Sequence, residues 1–381
     1  MKEKNDDRVA VIGAGQTVFG EHWDKSLRRL SLEAGISALE DARIEGKEIE
    51  SLYVGNMSGM FTGQEHVGAL AADIAGMTPI PSCRCEAACA SASLAFRQAY
   101  LSVLSGQFDI VMAAGAEKMT DLMGSGVLTT LMGAGDQEWE GAFGATFSGL
   151  YALMARRHMF EYGTTREQIA MVSVNNHKNA ASNEYAQFRF PITISDVLNS
   201  SMVADPLRLL DCSPISDGAA AVVIASREAV KKLGIKNPIW VAGSGQASAS
   251  LALHDRPSLT SIESTVIAAR NAYNAAGIKP SDIRYAEVHD CFSINEILAV
   301  EDLGFCKKGE GGKFVESGGI NDIVKVNSTG GLKAIGHPVG ATGIRQIYDI
   351  VKILRKERGI GLTQNVGGSG ATCLVHVFNS E

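Results

Sequence analysis

The stretch 84–104, RCEAACASASLAFRQAYLSVL, decides how the rest of the chain is read. Ala88, Cys89, Ala90, Ser91, Ala92 and Ser93 are all small, so the backbone packs closely there and little shields the thiol. From Leu94 onward, Leu94, Ala95, Ala99, Leu101 and Leu104 recur at helical spacing. The pattern predicts a buried turn running straight into a helix, with Cys89 at the join. A cysteine so placed faces unpaired backbone N–H groups and the positive end of the helix dipole. That setting favours thiolate, the nucleophilic form. The alternative is a small buried core thiol, the usual state of a free cysteine, and this stretch alone leaves both open.

Composition narrows the classes. The chain has 381 residues, 45% hydrophobic and 20% charged, with 41 glycines, which suits an enzyme of two packed halves. A net charge of −7 argues against a nucleic-acid partner. The charged start MKEKNDDR reads as neither a signal nor a transit peptide, and no apolar run approaches the roughly 20 residues of a membrane span. A cytoplasmic protein is expected. Seven cysteines without secretory signals read as reduced thiols. Cys83, Cys85 and Cys89 cluster, but no paired C-x-x-C or nearby histidine completes a zinc site, so no metal is expected.

Outward from the opening stretch, the chain alternates strands and helices. Arg8 to Ile12 reads as a strand leading into Gly13-Ala14-Gly15-Gln16-Thr17-Val18. That sequence lacks the third glycine and the apolar helix of a dinucleotide loop, so it is not read as one. Ser26 to Ala42 reads as an amphipathic helix. The runs 108–114 and 216–226 read as strands buried on both faces. Between them lies a segment rich in Met, Gly and aromatics, of the kind that covers ligands. From about Ile239 the chain repeats itself: IWVAGSGQASA echoes VAVIGAGQTVF, and Arg345-Gln346-Ile347-Tyr348 echoes Arg97-Gln98-Ala99-Tyr100. The expectation is an α/β protein of two copies of one unit with largely parallel sheets. The first half takes 1–115 and 206–237, an insertion takes 116–205, and the second half takes 238–381.

If the halves are related by a pseudo-two-fold, the turn carrying Cys89 and the turn carrying Gly336-His337-Pro338 are counterparts. A thiol and an imidazole then meet where the halves join, and the histidine can take the proton and hold an ion pair. His289-Asp290-Cys291-Phe292 ends a strand with a second thiol beside a histidine, a candidate acid/base pair. Asp290 is either part of that pair or a strand-end cap. Asn365-Val366-Gly367-Gly368-Ser369-Gly370 offers backbone N–H groups to an oxyanion.

The set CEAACASAS, HDCF, GHPVGATG and NVGGSG resembles the thiolase family along nearly the whole chain, most closely its archaeal and sterol-carrier-protein type. The resemblance implies the thiolase fold, two pseudo-symmetric α/β halves in five αβαβα layers with an inserted loop domain over the active site. It implies Cys89 as acyl-accepting nucleophile and His337 as its base. It also implies one oxyanion hole involving His289 and another made by the Cys89 and Gly367 amides. The better-known thiolases carry their acid/base cysteine where this chain has Asn365; the resemblance to the HDCF subgroup transfers that role to Cys291. It further implies CoA thioesters as substrates, no cofactor resident on this chain, and a homodimer or dimer of dimers. A small zinc-ribbon OB-fold partner, carrying any zinc, is also implied. Archaeal members make acetoacetyl-CoA, while bacterial relatives cleave bulky esters such as benzoylsuccinyl-CoA. Phe143, Phe147, Phe188 and Phe190 would suit an aromatic acyl group, or could be core.

Overall fold

Along the first strand, β1 (Val9–Gln16), side chains alternate between two cores. Val9 and Val11 join Phe96, Ala99, Ile344 and Ile347, whereas Ala10 and Ile12 join Leu30, Ala34 and Ala38. That is the period of two of a strand buried on both faces. The computed structural model describes residues 9–380. The charged start, including the Arg8 expected to open this strand, lies outside them.

The further strands are β2 (Ser51–Gly55), β3 (Ser82–Cys85), β4 (Ile110–Lys118), β5 (Met202–Ala204), β6 (Leu207–Arg208), β7 (Asp217–Ser226), β8 (Ile239–Ser248), β9 (Tyr285–Glu287), β10 (Lys325–Val326), β11 (Ile360–Gly367) and β12 (Thr372–Asn379). Ten of them form one sheet in the order β10-β9-β11-β12-β8-β1-β7-β4-β2-β3, and β5 and β6 make a separate hairpin. Outward from its centre the two halves match strand for strand: β1, β7, β4, β2, β3 against β8, β12, β11, β9, β10. Within the sheet, among the described residues, they meet at two antiparallel pairs, Ala10 with Trp240 and Val11 with Ile239.

The sheet is mixed, which corrects the expectation of largely parallel pairing. Strand β2 runs parallel to β3 and β4, and β9 to β10 and β11. Strands β7 and β12 return antiparallel between their neighbours. A continuous apolar run reports burial on both faces and carries no information about direction.

The repeated glycines have one purpose in both halves. A Cβ on Gly13 or Gly15 would come within 2.4 Å of backbone atoms of Ala38, in the Leu27–Ala42 helix. A Cβ on Gly243 or Gly245 would meet Ala272 O at 2.3 Å or Ala268 O at 2.0 Å, in the Glu263–Ala276 helix. Each pair lets a helix lie directly on a strand. Those two helices form the outer layers. The Ser91–Leu104 and Thr342–Lys356 helices pack on each other between the halves, completing αβαβα.

Between β4 and β7 come the helices Ser125–Met132, Phe147–Tyr162, Arg166–Ala180 and Ile194–Asn199. The Arg166–Ala180 helix packs on Gly331–Ile335 and Ser293–Asp302 of the second half, which carries the intervening segment across the turns at the strand ends. Among the described residues no helix is long and apolar enough to cross a membrane.

Candidate active site

Cys89 sits two residues before its helix, in a turn closed by Ala90 N–H to Ala87 O and Ser91 N–H to Ala88 O. Ala88 takes a left-handed conformation, φ 51°, which a residue with a Cβ adopts at some cost. Two side chains hold it there: Glu86 Oε1 accepts the Ala88 N–H, and Ser91 Oγ accepts the Ala87 N–H at 2.9 Å and donates to Ala88 O. The thiol is thereby aimed into a cavity of about 210 Å³.

The counterpart turn delivers His337 to the same cavity, as the repeat requires. Its backbone N–H donates to Ser216 Oγ at 3.1 Å. The Thr342 hydroxyl donates to the Pro338 carbonyl at 3.1 Å, so it accepts from His337 Nδ1–H at 2.7 Å. Nε2 is left bare and has no protein partner. His289 lies edge-on to His337, with ring centroids 5.1 Å apart. The ligating atoms of Cys89, His289 and His337 all lie within 4.8 Å of one another. His289 Nε2 is also unpartnered, while its Nδ1 meets Asn365 Nδ2 at 2.9 Å. Cys291 lines the same cavity, beside Tyr151 and Phe292.

Protonation differs from the sequence reading. Burial pushes the Cys89 thiol up to about 12; the Gly368 and Cys89 amides pull the other way, and Glu117 adds to the rise. Burial pushes His337 down to about 3, helped by the Arg345 cation. The pair therefore rests as neutral thiol and neutral imidazole, not as an ion pair. Burial likewise holds the Cys291 thiol well above the ordinary range, with Cys89 and Asp290 adding to the effect. His289 is pushed well below its ordinary value by burial, then by His337 and Arg345.

Several expected residues fall differently. The amide reaching the Cys89 sulfur belongs to Gly368; Gly367 backs onto the Ala87 carbonyl and faces a separate surface cleft. Asn365 meets the site through its side chain, not as part of a backbone oxyanion loop. Asp290 is a cap: its carboxylate accepts the Leu332 and Lys333 N–H groups at 2.6 and 3.0 Å. Of the four phenylalanines, only Phe147 lines the cavity. Phe143 is 78% exposed, and Phe188 and Phe190 pack on His177. Cys83 and Cys85 sit with sulfurs 4.0 Å apart on β3, whereas Cys89 turns towards the two histidines.

Three residues near the chemistry were not singled out from the sequence. Thr342 lies within the quoted GHPVGATG motif, five residues after its histidine. Gly368 is one position from the glycine chosen. Tyr151 comes from the intervening segment, fully buried, its hydroxyl donating to Gly368 O at 3.1 Å; nothing in its local sequence marks it.

Residues 9–228 match the family described as thiolase, N-terminal domain, and residues 245–380 match thiolase C-terminal domain-like. The chain belongs to the thiolase family. It is an acyltransferase, with thiolase fold and domains throughout. It is 56% identical to the acetyl-CoA acetyltransferase of Methanothermobacter thermautotrophicus, over 97% of this chain and 99% of that one. It is 39% identical to the benzoylsuccinyl-CoA thiolase subunit BbsB of Thauera aromatica, over 93% and 91%. Among solved structures, the Ltp2–ChsH2(DUF35) aldolase superposes with a TM-score of 0.84 at 26% identity, covering 98% of each chain.

Proposed function

We propose that the cavity performs CoA-dependent cleavage of a 3-oxoacyl-CoA, and its reverse Claisen condensation, through an acyl thioester on Cys89. The observation that carries this is one nucleophile-and-base pair, Cys89 and bare His337 Nε2, in a cavity that also holds the Cys291 and Cys212 thiols. As Cys89 Sγ attacks C3, its proton passes to His337 Nε2. The oxyanion formed meets the Cys89 and Gly368 amides. The C2–C3 bond then breaks, and its electron pair is delocalised onto the thioester oxygen, where His289 Nε2 is placed to donate. Cys291, held protonated by burial, gives its proton to C2, and the shorter acyl-CoA leaves. Free CoA attacks the acyl group on Cys89 while the Cys291 thiolate takes the CoA proton. Cys89 leaves as thiolate and recovers its proton from His337, so every proton returns to its starting group.

The short-chain reading, acetoacetyl-CoA to two acetyl-CoA, is supported by the 56%-identical relative named for that activity. A bulky or aromatic acyl group, as in benzoylsuccinyl-CoA, is the second reading. It is favoured by a cavity of about 210 Å³ walled by Phe147, Tyr151, Phe292, Leu128, Leu131 and Leu209. A small OB-fold partner is part of the proposal, supported by the DUF35 protein in the superposing structure; any zinc belongs to it. A homodimer, a cytoplasmic site of action and no resident cofactor complete the reading. Free states for all seven cysteines are in keeping with that compartment.

The test is a panel of short, long and aromatic 3-oxoacyl-CoA esters with CoA, assayed with and without the partner, with mass-spectrometric capture of the acyl-Cys89 peptide. Turnover of one class with a Cys89 adduct is expected. A chain that binds its partner yet neither cleaves any ester nor acylates Cys89 is a silent scaffold, and the proposal fails.

A further inference from the structure

We propose that Asn365 is a positioning residue: its side-chain amide, donating to His289 Nδ1, fixes the tautomer in which Nε2–H faces the substrate. The inference rests on the thiolase reading above and gives a purpose to the chain's departure from the usual cysteine at this position.

An amide NH₂ can only donate, so the nitrogen it meets at 2.9 Å must carry a lone pair. A neutral imidazole has one N–H, so the proton is on Nε2. That atom has no protein partner, and a His289 ring nitrogen lies within 4.8 Å of the Cys89 sulfur and of a His337 nitrogen. An unpaired buried N–H beside the nucleophile is the arrangement that meets a developing enolate oxygen. Thr342 sets the opposite tautomer on His337. Two neighbouring imidazoles are thus made one base and one donor by one amide and one hydroxyl.

The setting keeps Asn365 in place. It is fully buried in β11, paired in register with Leu374. Its Oδ1 and Ser93 Oγ would lie 2.5 and 2.3 Å from a Cβ on Gly343, so only glycine there leaves the amide room. Burial, His337 and Arg345 oppose the charging of His289. Arg345 and His337 approach from the second-half turn and helix, and Cys89 from the first half. Arg345 is itself paired with Glu287 and Asp349, and Asp290 is tied to the Leu332 and Lys333 amides. Among the described residues no carboxylate is hydrogen-bonded to the His289 ring, so the amide alone selects the tautomer.

The experiment compares Asn365→Ala and Asn365→Asp with the wild-type chain, and reads the tautomer directly by ¹⁵N NMR of histidine-labelled protein. The wild-type His289 should be the Nε2–H form. Asn365→Ala should lower the thiolysis kcat by about 10–100-fold with the KM for CoA held within about twofold. Asn365→Asp draws the proton to Nδ1, leaving Nε2 bare, and its carboxylate raises the imidazolium pKa. The ratio of its kcat to the wild-type kcat should therefore climb as pH falls, because the imidazolium regains an Nε2–H. A merely structural role would leave that ratio flat. A wild-type Nδ1–H tautomer, an unchanged kcat in Asn365→Ala or a flat ratio in Asn365→Asp overturns the inference. Absence of thiolysis in the wild type overturns the thiolase reading instead, and the NMR tautomer still decides the inference.

Discussion

Replacing Cys291 by alanine should separate the two halves of the proposed reaction. Cys291 is 6% exposed and borders the open cavity, so losing one sulfur atom leaves a void continuous with space already present. The stability cost is on that account about 1 kcal/mol, small beside a domain's total. The kinetic cost is large. Burial holds the thiol protonated, and a positioned acid of this kind typically contributes about 10²–10⁴ in rate, or roughly 2.7–5.4 kcal/mol. Thiolysis of a 3-oxoacyl-CoA should fall by that factor. Loading of Cys89 from a plain acyl-CoA needs no proton at C2: His337 activates Cys89, and the CoA thiolate that departs, a far weaker base than a carbanion, depends much less on the Cys291 proton. That loading, followed by intact mass, should stay within about tenfold of wild type. Wild-type thiolysis in Cys291→Ala would refute the assignment. Equal losses in both half-reactions would refute it too, since they would mean that Cys291 only holds Cys89 in place.

Two further outcomes follow from the same site. Thr342→Val keeps the shape but strands the buried His337 Nδ1–H, at about 1–3 kcal/mol, so iodoacetamide alkylation of Cys89 should slow roughly 5–150-fold and Thr342→Ser should recover most of it; an unchanged rate would remove Thr342 from the account. With the thiol near 12 and His337 near 3, the resting thiolate fraction grows about tenfold per pH unit. Alkylation of the substrate-free enzyme should therefore climb steadily from about pH 6 to 9, whereas a plateau below pH 8 would mark an ion pair.

The architecture was legible wherever the sequence encodes packing. Gly13 and Gly15 against Gly243 and Gly245 gave the repeat, because a helix lying on a strand excludes every Cβ at those places. Strand direction was not legible, because GAAAVVIA and ATCLVHVF record burial on two faces and nothing else. The motif residues Cys89, His289, Cys291 and His337 converge because turns at equivalent strand ends of two like halves must meet where the halves join. Residues outside the turns escaped notice: Tyr151 reaches the site only through the path of the intervening segment, which local pattern does not specify.

The charge state of Cys89 shows where local reasoning gives way to the tertiary environment. A helix N-terminus offers about half a positive charge, worth roughly 0.3–2 kcal/mol to an anion. Withdrawing a thiolate from water opposes this with several kcal/mol, and here it is abetted by Glu117 behind the turn. Desolvation wins, and the thiol rests protonated. That outcome favours catalysis rather than hindering it. Stabilising a resting thiolate would lower the ground state along with the transition state, whereas only the difference between them accelerates attack. Bare His337 Nε2 and the Cys89 and Gly368 amides are placed where charge appears during attack. The nucleophile is then made at the moment a thioester fills the cavity, and the idle thiol stays poorly reactive towards oxidants and alkylating agents that act on thiolate.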